Sequence, residues 1–157
     1  MKIESLKDYI NNYELVFNIV NSTYELTSFM NMDYLNYKEW YYFKQVLETI
    51  YTDKRNILFV RDKDNRIIGV SSLKKYQNEK KICTLYVLPE YRNIGIGNTL
   101  LEESFKWLET TKPLITFKEY KLNMFKYFIN KYNWKLTSVK NDLNNNINEL
   151  CFNENNI

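Results

Sequence analysis

The stretch 85–103, L-Y-V-L-P-E-Y-R-N-I-G-I-G-N-T-L-L-E-E, restricts the fold of this chain more than any other segment. Ile82, Leu85, Val87 and Leu88 form an apolar run that stops at Pro89. A short polar link follows. Two of the chain's three glycines, Gly95 and Gly97, come next, and an amphipathic run starts at once. This reads as strand, loop and helix N-terminus. The first turn of a helix leaves N–H groups without intrahelical partners, and the helix dipole adds positive partial charge there. Glycine allows a ligand close to the backbone. The element therefore suits a phosphate or pyrophosphate. It is not a P-loop, because no Lys-Ser/Thr pair follows Gly97. It also lacks the third glycine of G-x-G-x-x-G, since Leu100 stands in that place.

The remaining chain has to supply a sheet and helices around this element. Met1 to Leu6 reads as a short edge strand. Apolar residues at Ile10, Tyr13, Phe17, Val20, Tyr24 and Leu26 predict a helix over about 8–29, with a break near Asn21-Ser22. A polar link at 31–36 precedes a second helix over 37–51, with Trp40, Phe43, Leu47 and Ile50 along one stripe and Tyr41 and Tyr42 beside it. Strands at Arg55–Arg61, 67–75 and 81–88, separated by polar turns, predict an antiparallel meander. The glycine helix runs over about 95–110 and faces the core with Leu100, Leu101, Ser104, Phe105 and Leu108. A strand at 113–117 lies parallel to the third meander strand, because a helix connects them. A helix at 122–132 and a hairpin of 134–139 with 146–152 around N-D-L-N-N-N follow, then a frayed tail from Glu154. Pattern alone gives an α+β domain with a mixed sheet, one domain over 1–157.

Several chemistries are excluded by residue type. The chain has no histidine, which removes Ser-His-Asp and Cys-His catalysis and argues against a catalytic zinc. Cys83 and Cys151 are too far apart for a metal or C-x-x-C spacing and both fall in predicted strands, where buried thiols are expected. No metal is expected. The net charge of +3 is too small to argue for nucleic acid, but it is uneven: residues 1–52 carry −3 and residues 53–157 carry +6. The half with the glycine loop is the basic one, as an anionic ligand favours. No apolar run reaches the roughly 20 residues of a membrane span, and the first residues lack the apolar core of a signal peptide. A cytoplasmic protein, monomer or homodimer, is expected.

The segment V-L-P-E-Y-R-N-I-G-I-G-N-T-L-L resembles the acetyl-CoA signature of the GCN5-related N-acetyltransferase (GNAT) superfamily, R/Q-x-x-G-x-G/A after a V-x-P-x-Y strand end. The resemblance implies the order β-α-α-β-β-β-α-β-α-β-β across the whole chain, with a central, mostly antiparallel mixed sheet flanked by helices. It implies acetyl-CoA as cosubstrate and an amine acceptor. It places the pantetheine along Tyr86, Val87 and Leu88, with Pro89 helping to open the sheet. The pyrophosphate falls on Arg92, Asn93, Ile94, Gly95, Ile96, Gly97, Asn98 and Thr99. Asn123 stands one residue out of step with an Asn of the penultimate helix. The thioester carbonyl is expected on the N–H of Val87 or Leu88. The first helices wall the acceptor site, with Tyr34, Tyr37, Trp40 and Tyr41 as candidates.

The chemical half of the pattern is incomplete. The family's common acid positions hold Cys83 and Thr84, and its common tyrosine position holds Ile129, with Tyr127 and Tyr132 out of register. Glu119 is the best-placed carboxylate on sequence, and no catalytic residue is assigned. Three readings stay open: an N-acetyltransferase acting on a small molecule, peptide or protein amine, a catalytically weak acyl-CoA-binding module of the same fold, and an unrelated α+β domain with a mimicking loop.

Overall fold

The computed structural model describes residues 1–142 and 146–154. Its elements follow the expected order. β1 is Ile3–Ser5 and α1 is Tyr13–Thr27. A second helix, α2, joins Tyr37–Trp40 to Leu47–Tyr51 through a π segment at Tyr41–Val46. The meander is β2 (Arg55–Arg61), β3 (Ile67–Tyr76) and β4 (Glu79–Val87). Then come α3 (Ile96–Leu108), β5 (Leu114–Lys118), α4 (Leu122–Lys131), β6 (Leu136–Asp142) and β7 (Ile147–Phe152). The tip of the last hairpin at 143–145 and the tail at 155–157 lie outside the described residues.

One seven-stranded sheet has the order β1-β2-β3-β4-β5-β7-β6. All pairings are antiparallel except β4 with β5. That pair is parallel because α3 carries the chain back across the sheet. The fold is α+β with helices on both faces. Leu100, Leu101, Phe105 and Leu108 of α3 and Phe125 of α4 pack on one face with Ile82, Ile115 and Phe117. Val16, Ile19 and Val20 of α1 and Tyr37, Tyr41 and Val46 of α2 pack on the other with Ile57, Phe59 and Val70.

Two helical faces differ from the sequence expectation. α1 is unbroken at Asn21-Ser22, and it ends at Thr27, with a 3-10 turn over Ser28–Met32. Asn21 instead accepts a hydrogen bond from the Tyr42 hydroxyl at 2.7 Å, and Thr23 and Thr27 bond back to carbonyls within the helix. The propensity cost of such residues is a few tenths of a kcal/mol and packing overrides it. The buried side is Val16, Ile19, Val20, Thr23 and Thr27, while Tyr13 and Phe17 face outward. In α2 the buried side is Tyr37, Tyr41, Gln45, Val46 and Thr49, and Phe43 is exposed. The π segment widens the turn, so a stripe drawn at α-helical spacing slides off the core.

Candidate functional site

β4 and β5 share only two paired positions, Lys81 with Leu114 and Ile82 with Ile115. Beyond them the strands part. The cause sits in β4. Ser72 of β3 pairs with Thr84 and Leu73 pairs with Ile82, so Cys83 has no partner and forms a bulge. A bulge bends its strand and raises the local twist. The parting therefore begins at Cys83, six residues before Pro89, and not at the proline as the sequence suggested. Gln45 Nε2 donates to the Leu73 carbonyl at 3.2 Å, and Arg55 Nη1 donates to Gln45 Oε1 at 2.8 Å and to Cys83 Sγ at 3.7 Å. This buried set backs the bulge from the α2 side.

The slot holds two adjoining cavities. One, of about 510 Å³, runs from Leu85–Val87 past Arg92, Asn93, Gly95, Gly97 and Asn98 to Asn123 and Tyr127 of α4. The other, of about 290 Å³, lies deeper between β4 and β5 and is closed by Phe29, Met30 and Tyr34. Leu85, Tyr86, Arg92, Met124 and Phe125 border both.

The loop above the slot is held by its neighbours. Tyr91 donates through its hydroxyl to Asp62 Oδ2 at 2.8 Å, and Arg66 Nη2 donates to the Tyr91 hydroxyl at 3.2 Å. Arg92 turns back so that Nε donates to the Val87 carbonyl at 2.8 Å, with its guanidinium 5.2 Å from the Tyr86 ring centre. Asn93 (φ 65°) and Gly95 (φ 90°) take left-handed backbone conformations that aim the chain into α3. Gly97 does not, so its value lies in space and not in φ. A Cβ built there meets no atom within 4 Å, on the side that borders the larger cavity. Thr99 N–H donates to the Gly95 carbonyl at 3.0 Å, and the N–H groups before it in the first turn have no carbonyl one turn back. A cradle of this kind fits an anion with two phosphates.

Of the expected cofactor residues, Tyr86, Val87, Arg92, Asn93, Gly95, Gly97, Asn98 and Asn123 border the slot. Ile94, Ile96 and Thr99 turn to the opposite side, toward Met1, Ile3 and Val60, and Ile96 is buried in the core. Helical periodicity separates them from Gly97 and Asn98. Leu88 is corrected as a donor: its N–H already bonds the Ile68 carbonyl at 2.9 Å. N–H groups alternate along a strand, so Val87 N–H faces the side from which β5 has parted.

Among the acceptor-wall candidates only Tyr34 borders the slot. Tyr37 and Tyr41 are core residues, with hydroxyls bonded to Thr27 and Thr23. Trp40 lies by the Arg55 guanidinium, 5.8 Å from it. Glu119 is bound to Asn148 of β7, at 3.4 Å from its N–H and 3.2 Å from its Nδ2, and borders neither cavity. Tyr132 stacks edge-on against Phe105 at 4.8 Å, away from the slot. Both cysteines keep part of their residue surface exposed, but the thiol group of Cys83 is itself enclosed. Cys83 borders the deeper cavity, where burial pushes its thiol pKa up, so it stays a thiol.

Sequence reasoning missed Phe29, Met30 and Tyr120. They come from the 3-10 turns after α1 and β5, which carry no periodic signal, and meet only across the splayed sheet. Tyr120 donates to Asp33 Oδ2, and Lys121 Nζ lies 3.6 Å from the same oxygen. Burial and this carboxylate push the Tyr120 phenol up to about 12. Burial raises the Tyr34 phenol as well. Both are hydrogen-bond donors at neutral pH.

The model of the Acetyltransferase (GNAT) family matches residues 15–117, from α1 to the end of the splayed strand β5. The chain belongs to this family. No curated protein matches it. Among solved structures, a GNAT-family acetyltransferase from Bacillus cereus ATCC 10987 is 15% identical at a TM-score of 0.61, over 97% of this chain and 96% of that one. The PaiA N-acetyltransferase of Thermoplasma acidophilum, in complex with coenzyme A, is 20% identical at a TM-score of 0.57, over 95% and 98%. An acetyltransferase of Bacillus anthracis in complex with acetyl coenzyme A is 18% identical at 0.57, over 68% of this chain and 65% of its own, a little under two thirds of its length. At these identities the shared property is the GNAT fold. Among the described residues no group of three His, Cys, Asp or Glu could hold a metal, and no helix is long and apolar enough to cross a membrane.

Proposed function

We propose that residues 1–157 form one domain that transfers an acetyl group from acetyl-CoA to a primary amine. The parted β4–β5 slot, ending on the open first turn of α3, carries this reading. The pyrophosphate rests on N–H groups of Gly95–Asn98, with Arg92 and Asn93 beside it. The pantetheine runs along β4 as an added strand, and Tyr86 and Asn123 border its path. Val87 N–H donates to the thioester carbonyl and strengthens that bond as the oxygen gains charge.

The amine lone pair attacks the thioester carbon and the C–S bond breaks. The amine gives up one proton, and the sulfur leaves as the CoA thiol. An alkyl ammonium, pKa about 10.4, must lose a proton before attack. Acetyl-CoA plus amine gives N-acetylamine plus CoA, with no other reactant. The slot is reached from the larger cavity by the cosubstrate and from the deeper one by the acceptor. The working site is intracellular, where acetyl-CoA is made.

A second reading is favoured by one observation: among the described residues no carboxylate borders the slot, since Cys83 and Thr84 stand at the family's common acid positions and Glu119 is tied to Asn148. On that reading the protein binds an acyl-CoA without turnover. Two measurements separate them. Millimolar CoA should raise the melting temperature under both readings, and thiol release from acetyl-CoA across an amine panel is expected only under the first. No melting shift with CoA sinks both.

A further inference from the structure

The deeper cavity holds information about the acceptor. Its wall is aromatic: Phe29 meets Tyr86 at 4.8 Å, Phe117 stacks on Phe125 at 4.3 Å, and Tyr34 and Tyr120 line it as well. Its volume of about 290 Å³ is at the small end of ligand sites, near ~300 Å³. The charged side chains on its wall are Arg92 and Lys121, both basic.

Among the described residues, the neighbouring carboxylates Asp33, Asp142, Glu149 and Glu119 are each engaged by the protein. Asp33 is held by Lys121 and by the Tyr120 hydroxyl. Glu149 and Asp142 flank the buried Lys118 ammonium at 3.5 and 3.6 Å. Glu119 is bound to Asn148. Lys121 further seats its ammonium 5.6 Å from the Phe29 ring and 5.7 Å from the Tyr120 ring. Two aromatic rings and a carboxylate make a good place for an ammonium, and the chain fills it with the one on Lys121.

A polyamine or an aminosugar brings a second ammonium that stays charged while the first one reacts. Burying that charge without a partner is costly. An amine on an apolar body brings a single ionisable group, and an apolar wall favours its neutral, nucleophilic form. Resting on the acetyl-transfer reading, we infer that the acceptor is a small primary monoamine carried on an aromatic or apolar body, and that Lys121 excludes polycations by occupying Asp33.

The test compares 2-phenylethylamine with 1,4-diaminobutane by thiol release from acetyl-CoA, in the wild type, Phe29→Ala and Lys121→Met. The expected kcat/KM for 2-phenylethylamine exceeds that for the diamine at least tenfold in the wild type. Phe29→Ala lowers the aromatic amine's kcat/KM through KM. Lys121→Met frees Asp33, and the diamine gains at least fivefold relative to 2-phenylethylamine. Equal or better use of the diamine by the wild type overturns the substrate class and leaves acetyl transfer standing. An unchanged ratio in Lys121→Met overturns the role of that lysine. If CoA raises the melting temperature but 2-phenylethylamine neither reacts nor raises it further, the inference also fails. Absence of the CoA shift itself falls on the acetyl-transfer reading.

Discussion

Replacing Gly97 by valine separates cofactor space from fold. Gly97 is the second residue of α3, its φ is not left-handed, and a Cβ there meets no atom within 4 Å. Valine is at least as good a helix former as glycine, so the free protein should change by no more than about 0.5 kcal/mol. For a chain of this size that is a shift of roughly 1–2 °C in Tm. The added methyl groups would occupy the cradle bordered by Asn93, Gly95 and Asn98, and a hundredfold weaker Kd is about 2.8 kcal/mol. At CoA equal to about 100 times the wild-type Kd, the wild type gains roughly 2.7 kcal/mol and the variant only about 0.4. The readout is a wild-type melting shift of roughly 5–11 °C against one of about 1–2 °C. Gly95→Val supplies the contrast. At φ 90° a branched side chain is strained, and a cost of at least ~1–2 kcal/mol should lower Tm without any ligand. Circular dichroism and CoA titration decide. A folded Gly97→Val protein with the full wild-type shift would refute the cradle.

Two further predictions concern the phenols around the acceptor end. Tyr34→Phe, Tyr120→Phe and Tyr127→Phe should each lower kcat by less than the roughly 10²–10⁴-fold of a dedicated acid or base, because no one side chain is placed alone for proton transfer. A thousandfold fall in one of them, with CoA binding intact, would name that residue as the missing acid or base. The Tyr120 phenol is raised to about 12 in the folded state against about 10 unfolded, so folding favours its protonated form. Its contribution is complete below pH 10 and is lost as the pH rises through 12. The stability gap between wild type and Tyr120→Phe, from urea midpoints, should therefore shrink between pH 9 and pH 12, and a constant gap would contradict the assignment.

The glycine loop was legible in the sequence because its chemistry is local. Gly95 and Gly97, the strand ending at Val87 and the leucines of α3 lie within one short stretch, and a helix N-terminus needs no distant partner to present its N–H groups. The expected core face of α3, Leu100, Leu101, Ser104, Phe105 and Leu108, is buried throughout. Side-chain direction within that loop was harder. Ile94, Ile96 and Thr99 alternate with slot residues, and only the observed helix start separates the two sides.

What the sequence determined by itself is the set of elements, their order, and the glycine loop at the start of α3, all of which follow from short-range periodicity and glycine position. What only the tertiary structure decided is the deeper cavity between β4 and β5. The bulge at Cys83 arises from the pairing register of β3 with β4, which no run of residues in β4 announces. Tyr37 and Tyr41, one turn apart on α2, both face the core, while Tyr34 in the turn before that helix borders the slot. Asp33 and Lys121 are far apart in sequence, yet they form an ion pair at the wall of the cavity. Such pairings depend on how the two halves of a parted sheet are packed, and local sequence does not encode that distance.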